Sequence, residues 1–353
     1  MALIAVAADK GAPGVTTASV VLAAVWPRPV LLAECDPAGG DIVYRLPSAD
    51  GMRLDPRRGL LSLAVAARRG LQPHQVWEHA QKLHGGLDVL AGVTSAEQGA
   101  GLEALWDMVG GLLSRIPGAD VIADCGRIGR DGPFYDLLAE AEAVVLITRA
   151  SLAEVVRLRD RATALANGLQ KRGRPGARMG VVVVADHRTF KTALAEVGQV
   201  IGAERSPASV LGGLAYEPKS ADQLRGQWGG KLDKSLLIRT AREIAEHLAA
   251  QLTDAQLMDA DADGLGRRPA DADGLGRRPA DADGPGRRPT DAAGTVPRRA
   301  APQEPAGRHA GPQPAAEGGT GREMPDHPGP LSRPPSATMS GGLAARPGDP
   351  GGW

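Results

Sequence analysis

The sequence predicts an α/β protein with a three-layer α/β/α architecture, in which helices cover both faces of a doubly wound, mainly parallel sheet. Short apolar runs without alternation are typical of strands that are buried on both faces. Amphipathic stretches separate these runs, and a regular strand–helix alternation indicates parallel pairing. A change of composition near residue 253 predicts that a disordered tail follows the folded part.

Seven apolar runs are predicted as strands: 3–8, 29–35, 87–92, 119–125, 143–148, 179–185 and 212–216. Helical patterns lie between and after them: 17–24, 60–69, 101–115, 151–169, 190–201 and 231–252. The last of these mixes acids and bases on its polar face, which favours packing on the sheet over binding to a membrane surface. In this architecture a ligand binds at the carboxyl ends of the strands.

The composition predicts one folded domain, 1–252, and a tail, 253–353. Pro and Gly make up about a third of the tail, and Trp353 is its only aromatic residue. Within the tail, the decapeptide DADGLGRRPA at 261–270 repeats with increasing divergence through residue 300. Such a segment cannot bury enough apolar surface to fold. We interpret the repeats as an expanded linker, or as a multivalent tether whose arginine pairs contact an acidic partner.

The charge balance argues against a dedicated nucleic-acid-binding protein. The 353 residues include 41 Lys and Arg and 41 Asp and Glu, so the net charge is +0. The two cysteines, Cys35 and Cys125, each end an apolar run, which is typical of a reduced protein. The N-terminal apolar run is too short for a signal peptide, and no run of apolar residues is long enough to span a membrane. We therefore expect a cytoplasmic protein.

The stretch DKGAPGVTT, residues 9–17, lies between a predicted strand and a predicted helix, as a phosphate-binding loop does. Its glycines let backbone N–H groups approach phosphate oxygens, and the helix directs its positive end at the anion. The hydroxyl of Thr16 is placed to bind Mg²⁺. We therefore predict that this loop binds a nucleotide. The predicted contacts are Lys10, Gly11, Ala12, Pro13, Gly14, Val15, Thr16 and Thr17.

The segment KGAPGVTT resembles the deviant Walker A motif of the ParA/MinD family of P-loop ATPases. Lys10 occupies the signature lysine, which in that family reaches across an ATP-sandwich dimer to the partner's phosphates. Val15 stands where the family has a second lysine, and Ala12 replaces a glycine. The resemblance implies an ATP- and Mg²⁺-binding homodimer.

Three later segments resemble further motifs of the same family, in the same order, so that the resemblance covers about residues 1–250. VLLAECDPAGGD places Asp36 where the family has the carboxylate that orients the attacking water. ADVIADCG resembles Walker B, which implies that Asp124 holds Mg²⁺ through water and that Gly126 responds to the γ-phosphate. GGLAYEPKSADQL resembles the loop that closes over the adenine, which implies that Pro218 contacts the nucleotide.

The resemblance implies a nucleotide-dependent spatial switch that partitions or positions a cellular cargo or a secretion or pilus machinery. The TadZ/CpaE-like subgroup, which localises pilus machinery, also lacks the second lysine and has a pair like Gly40-Asp41. We expect a protein partner, while DNA and a membrane surface stay open as partners. Metabolic ATP-dependent enzymes with this fold, related to dethiobiotin synthetase, usually keep the lysine that Val15 replaces.

Val15 leaves the catalytic status open. A charge-assisted hydrogen bond contributes about 1.5–3 kcal/mol, so its absence weakens binding by about tenfold to a hundredfold. Hydrolysis suffers more, because positioned charges dominate phosphoryl transfer. We expect Lys10 and Asp36 to support weak or slow ATP hydrolysis; the alternative is a non-hydrolysing pseudo-ATPase scaffold that localises a protein partner. Purely structural roles also remain open: a tight glycine turn, a surface lysine, and caps formed by Asp36 and Asp124.

Overall fold

A computed structural model of the chain describes residues 1–11, 14–174, 177–203, 206–224 and 232–265, with side chains up to residue 257. The repeats at 261–300 and the rest of the predicted tail lie outside the described residues from 266 onward. The described residues therefore represent the predicted folded domain.

One sheet of eight strands organises the described part of the chain, in the order β3-β4-β2-β5-β1-β6-β7-β8. All neighbouring strands pair in parallel except β3, which pairs with β4 in antiparallel orientation. The predicted mainly parallel architecture is thus confirmed. The strands are β1 (Leu3–Ala8), β2 (Val30–Glu34), β3 (Gln81–Lys82), β4 (Asp88–Leu90), β5 (Asp120–Arg127), β6 (Ala143–Arg149), β7 (Arg178–Ala185) and β8 (Ala208–Ala215).

Helices cover both faces of this sheet, which produces two buried clusters and the predicted three layers. The helices are α1 (Val15–Ala24), α2 (Ile42–Arg45), α3 (Leu60–Ala67), α4 (Ala96–Ala100), α5 (Trp106–Leu113), α6 (Phe134–Ala139), α7 (Leu152–Lys171), α8 (Phe190–Gly202), α9 (Pro218–Leu224) and α10 (Leu236–Leu265). Side chains of α3, α5, α6, α7 and α8 pack on one face. Those of α1, α2 and α10 pack on the other.

The short elements are the ones that the sequence patterns do not predict. Strand β3 has two residues, and helices α2, α6 and α9 have four, six and seven. Elements of this length are too short to show a full hydrophobic period. The predicted helix 101–115 is divided: α4 ends before it, a 3₁₀ turn covers Glu103–Leu105, and α5 begins at Trp106.

The last helix continues beyond residue 252, where the sequence predicts that the folded domain ends. α10 extends to Leu265. Its apolar face continues as well, because Leu252 is fully buried and Ala255 is only 8% exposed. Among the helices of the described part of the chain, none combines the length and the apolar character that crossing a membrane requires.

The carboxyl ends of the central strands bring distant parts of the chain to one edge of the sheet. β1 pairs with β5 on one side and with β6 on the other, while β2 pairs with the far side of β5. In this register Glu34 at the end of β2 lies opposite Asp124 of β5. The loops that follow these four strands therefore meet where the sequence predicts ligand binding.

Candidate functional site

The loop between β1 and α1 is shaped by two glycines. Gly11 has φ 90° and Gly14 has φ 96°, in the left-handed region that favours glycine. Gly14 directly precedes α1, and its carbonyl accepts from the N–H of Ala18 at 2.8 Å. The N–H groups of the helical residues before Ala18 have no partner within the helix, and such a helix end binds anions.

Residues 10 and 15 of this loop, the two positions where the ParA/MinD family has lysines, differ in their exposure to solvent. Lys10 is exposed to solvent. Val15 is only 6% exposed and belongs to the same buried cluster as Ile4. Position 15 therefore contributes apolar packing and no charge to the loop. Ala12 and Pro13, two of the predicted nucleotide contacts, lie outside the described residues.

Asp124 is a buried carboxylate with one unused oxygen. Its Oδ1 accepts from the N–H of Gly126 at 3.2 Å, whereas Oδ2 is buried without a hydrogen-bond partner among the described residues. Burial raises the pKa of Asp124 to about 6, and the hydroxyl of Thr16 and the N–H of Gly126 oppose that rise. Thr16 on the first turn of α1 is therefore a close neighbour of this carboxylate, as the predicted metal site requires.

These donors fit a divalent cation. Leaving a buried carboxylate oxygen without a partner is costly unless a ligand satisfies it. Mg²⁺ prefers oxygen donors and is usually held by one or two protein groups together with waters and phosphates. Thr16 and Asp124 would supply the two protein oxygens, and the open N–H groups at the start of α1 would hold the phosphates.

Asp36 packs against the end of β5, just after Asp124. Its Oδ1 accepts from the N–H of Ala38 at 2.8 Å. Gly126 has φ 55°, and a Cβ at that position would overlap the Asp36 carboxylate. Burial raises the pKa of Asp36, while the Ala38 N–H and the positive charge of Arg127 oppose the rise. The loop after β2 and the end of β5 are thus in contact through Asp36.

The buried side chain of Glu34 anchors the loop after β2. Its Oε1 accepts from the N–H groups of Asp41 and Ile42 at 2.9 and 3.0 Å, and Oε2 accepts from Gly92 at 2.9 Å. A Cβ at Gly40 would overlap this carboxylate, so the loop folds tightly around it. Glu34 is only 1% exposed. One buried acid therefore ties the segment that carries Asp36 to α2 and to the loop after β4.

We expect the stability of the ligand-free protein to fall as the pH rises from about 5 to about 7, because Glu34 holds its proton more tightly when folded. Burial raises the pKa of Glu34 from 4.5 to about 7. Between those values the folded chain binds more protons than the unfolded chain, so this contribution is full at low pH and is lost as the pH rises. The shift corresponds to at most about 3 kcal/mol.

Chemical denaturation across this pH range, without Mg²⁺ or nucleotide, measures the effect. Glu34→Gln should be less stable at low pH, because an amide nitrogen cannot accept from the Gly92 N–H, but its stability should change less with pH. Part of the slope should remain, since the raised pKa of Asp124 acts in the same direction. The exposed Glu246→Gln is the control. An unchanged slope in Glu34→Gln would contradict the assignment.

A cavity of about 240 Å³ begins at the glycine loop and extends toward the last strands of the sheet. Gly14 and Thr17 line it, as does Arg149 at the end of β6. Tyr216 and Pro218, which follow β8, line it as well. The predicted contact Pro218 therefore borders the same cavity as the predicted phosphate loop.

Arg161 on α7 connects the loop after β1 with the loop after β5. Its Nε lies 2.6 Å from Asp9 Oδ1, and an Nη1 hydrogen donates to the carbonyl of Gly129 at 2.8 Å. Asp9 directly precedes Lys10. The ion pair therefore fixes the start of the glycine loop relative to the segment that follows Asp124.

The structure brings three of the predicted site residues together: Thr16, Asp36 and Asp124. Lys10 lies in solvent, and its role on a second subunit stays a prediction. The sequence patterns did not assign a site role to Glu34 or Arg149. A single acid in the apolar run VLLAEC was the available signal for Glu34, because a buried carboxylate needs several donors.

Comparison with solved structures identifies proteins of the same fold. A ParA family ATPase from Chlorobium tepidum TLS is 18% identical with a TM-score of 0.53, and the match covers 70% of this chain and 99% of that one. Apo McdA from Cyanothece is 17% identical, with a TM-score of 0.53 and coverage of 70% and 99%. MinD from Pyrococcus horikoshii OT3, complexed with Mg-ADP, is 15% identical, with a TM-score of 0.51 and coverage of 70% and 95%.

No family model matches the chain, and no curated protein matches it. Because the sequence identities are only 15–18%, the similarity to these structures is a similarity of fold. The described part of the chain has the α/β/α fold of the MinD and ParA P-loop ATPases.

Proposed function

We propose that the protein binds ATP with Mg²⁺ and acts as a dimerising spatial switch. The proposal rests on one observation: Asp124 has a buried oxygen without a hydrogen-bond partner among the described residues, and it lies beside Thr16. Both are at the N-terminal end of α1, where the first N–H groups have no partner within the helix. Proteins of the same fold support it, since the P. horikoshii MinD is complexed with Mg-ADP and a Cyanothece McdA variant with ATP.

Each site residue has a chemical task in this proposal. The N–H groups of Val15, Thr16 and Thr17 hold phosphate oxygens, and the oxygens of Thr16 and Asp124 hold Mg²⁺ directly or through water. Mg²⁺ when bound neutralises phosphate charge. The cavity beside Pro218 receives the base and ribose. Asp36 accepts a hydrogen bond from a water and orients it toward the terminal phosphate.

Dimerisation gives the exposed Lys10 its task. We propose that two chains enclose two nucleotides and that Lys10 of each reaches the phosphates held by the other. The dimer then presents a surface that the free chain lacks, and hydrolysis or nucleotide loss removes it. The switch would partition or position a cellular cargo, or a secretion or pilus machinery, through a protein partner. DNA or a membrane surface would be the other partner classes. The fold is shared with MinD proteins that are described as acting in cell division.

A second candidate function rests on Val15. Because this side chain is packed in the core, the loop lacks the charge that stabilises phosphoryl transfer. The chain would then hold nucleotide without turnover and act as a scaffold that localises a protein partner. Nucleotide binding is common to both candidates, and only hydrolysis separates them.

Asp124→Asn is expected to weaken Mg²⁺-dependent nucleotide binding by about tenfold to a hundredfold, because the amide loses the charge that attracts the cation. Titration with a fluorescent ATP analogue, with Mg²⁺ and with EDTA, measures this loss. The difference between the two conditions should disappear in the variant. Asp107→Asn, on the exposed face of α5, is the matched control and should bind as wild type. Equal Mg²⁺ dependence in Asp124→Asn and wild type would overturn the metal site.

Lys10→Ala is expected to bind ATP as a monomer and to dimerise at least tenfold more weakly than wild type (about 1.4 kcal/mol or more). Light scattering after size exclusion, with ATP and Mg²⁺, gives the mass of each species. The full chain should shift to the dimer only with nucleotide. A Lys10→Ala protein that dimerises as well as wild type would end the proposed role across the interface.

A further inference from the structure

We propose that Arg149 binds the phosphates of the nucleotide and supplies the positive charge that a lysine at position 15 would otherwise provide. This assignment rests on the proposed nucleotide-binding function and adds a residue that the motif comparison does not contain. It makes Arg149 a binding residue of the site.

The strand order places Arg149 beside the phosphate loop. β6 is the direct neighbour of β1, with Ala7 opposite Leu146, and Arg149 is the last residue of β6. Arg149 lines the same cavity as Gly14 and Thr17. The cation therefore borders the space that begins at the start of α1.

The guanidinium of Arg149 is available for a ligand. Hydrogen bonds hold its main chain: its N–H donates to Glu154 Oε2 at 3.3 Å, and its carbonyl accepts from the hydroxyl of Thr148 at 3.1 Å. Its side chain is exposed and has no ion pair or hydrogen bond to any residue in the described ranges. By contrast, Arg161 pairs with Asp9, and Arg45 pairs with Asp41.

Acidic side chains lie near the loop. Glu217 lines the cavity, and a carboxylate oxygen of Glu154 lies 3.7 Å from where a Cβ of Gly11 would be. Negative charges near the phosphates would repel the phosphate oxygens. Among the described residues that line the cavity, Arg149 is the one that carries a positive charge. Arg also offers a planar fork that matches two phosphate oxygens.

The test compares ligands that differ in phosphate number. Arg149→Gln should bind ATP and ADP about tenfold more weakly, as expected for the loss of one charge-assisted hydrogen bond, while binding of adenosine should stay unchanged. Arg149→Lys should retain part of the affinity, since it keeps the charge without the fork. Isothermal titration with Mg²⁺ provides the affinities. Arg178→Gln is the matched control, because Arg178 is exposed at the opposite, amino-terminal end of the adjacent strand β7.

A second variant asks whether Arg149 and position 15 serve the same phosphates. Val15→Lys should tighten ATP binding more in the Arg149→Gln protein than in wild type, and so restore at least the affinity that was lost. This dependence on phosphate and on position 15 would not follow if Arg149 only supported the fold.

Three results would overturn the assignment: unchanged ATP affinity in Arg149→Gln, an equal loss for adenosine, or no greater gain from Val15→Lys in the variant than in wild type. An equal loss for adenosine would place Arg149 against the base instead. A wild-type chain that binds none of these ligands would refute the proposed function itself. That outcome is distinct, because it does not depend on the identity of residue 149.

Discussion

Val15→Lys is expected to tighten ATP binding by about tenfold to a hundredfold and to raise hydrolysis by about a hundredfold or more. In the described part of the chain, Thr16 and Asp124 lie together at the start of α1, so under the proposed function the substitution adds a charge beside the bound phosphates. The methylene chain of a lysine at position 15 can pack along apolar surface while its ammonium reaches the phosphates. The ligand-free protein should lose about 1–2 kcal/mol of stability, because Val15 is buried.

Single-turnover phosphate release and equilibrium nucleotide titration give the two quantities separately. Val15→Met is the matched control, since it changes the shape of the side chain without adding charge. If Val15→Lys behaves as Val15→Met does, position 15 does not face the phosphates and the site is misassigned. If binding tightens while hydrolysis stays absent, Asp36 is not placed for catalysis and the scaffold function is favoured. A gain in both supports a switch whose turnover Val15 has slowed.

Seven of the eight strands in the described sheet could be predicted because buried parallel strands appear as continuous apolar runs, whereas the two-residue β3 could not. The location of Thr16, Asp36, Asp124 and Pro218 at one edge of the sheet could be anticipated as well, since each lies within a few residues of a strand end or helix start; their roles in binding stay predictions. In a parallel sheet, those ends meet at one edge. The local pattern therefore carried information about residues more than a hundred positions apart.

Glu34 and Arg149 required the three-dimensional structure. The three donors to Glu34 come from the loop before α2, from α2 itself and from the loop after β4, and no local pattern joins these segments. Arg149 gains its significance from the order of the sheet, which places β6 beside β1. The short helix α4 was missed for a related reason. Its position depends on contact with the loop that carries Asp36 rather than on its own periodicity.

Gly99→Ala is expected to destabilise the protein by about 2–3 kcal/mol, whereas Gly198→Ala should stabilise it by about 0.5–1 kcal/mol. Both glycines lie within helices, α4 and α8. A Cβ on Gly99 would overlap the carbonyl oxygen of Pro37, while a Cβ on Gly198 would meet nothing within 4 Å. At Gly198 only the higher helix propensity of alanine counts. Denaturant unfolding of the two variants and of wild type measures the change in the free energy of unfolding for each, which should be negative for Gly99→Ala and positive for Gly198→Ala.

The same substitution at Gly99 should also separate hydrolysis from binding. Pro37 follows Asp36, and main-chain atoms cannot avoid a methyl group by changing rotamer, so the loop after β2 must move. Thr16 and Asp124 belong to other segments and should still hold Mg²⁺ and nucleotide. In the Val15→Lys background, where turnover is measurable, Gly99→Ala should therefore lower hydrolysis at least tenfold, about 1.4 kcal/mol in barrier, with less than half that effect on nucleotide affinity. Equal losses in both would mean that α4 supports the whole site and not the position of Asp36.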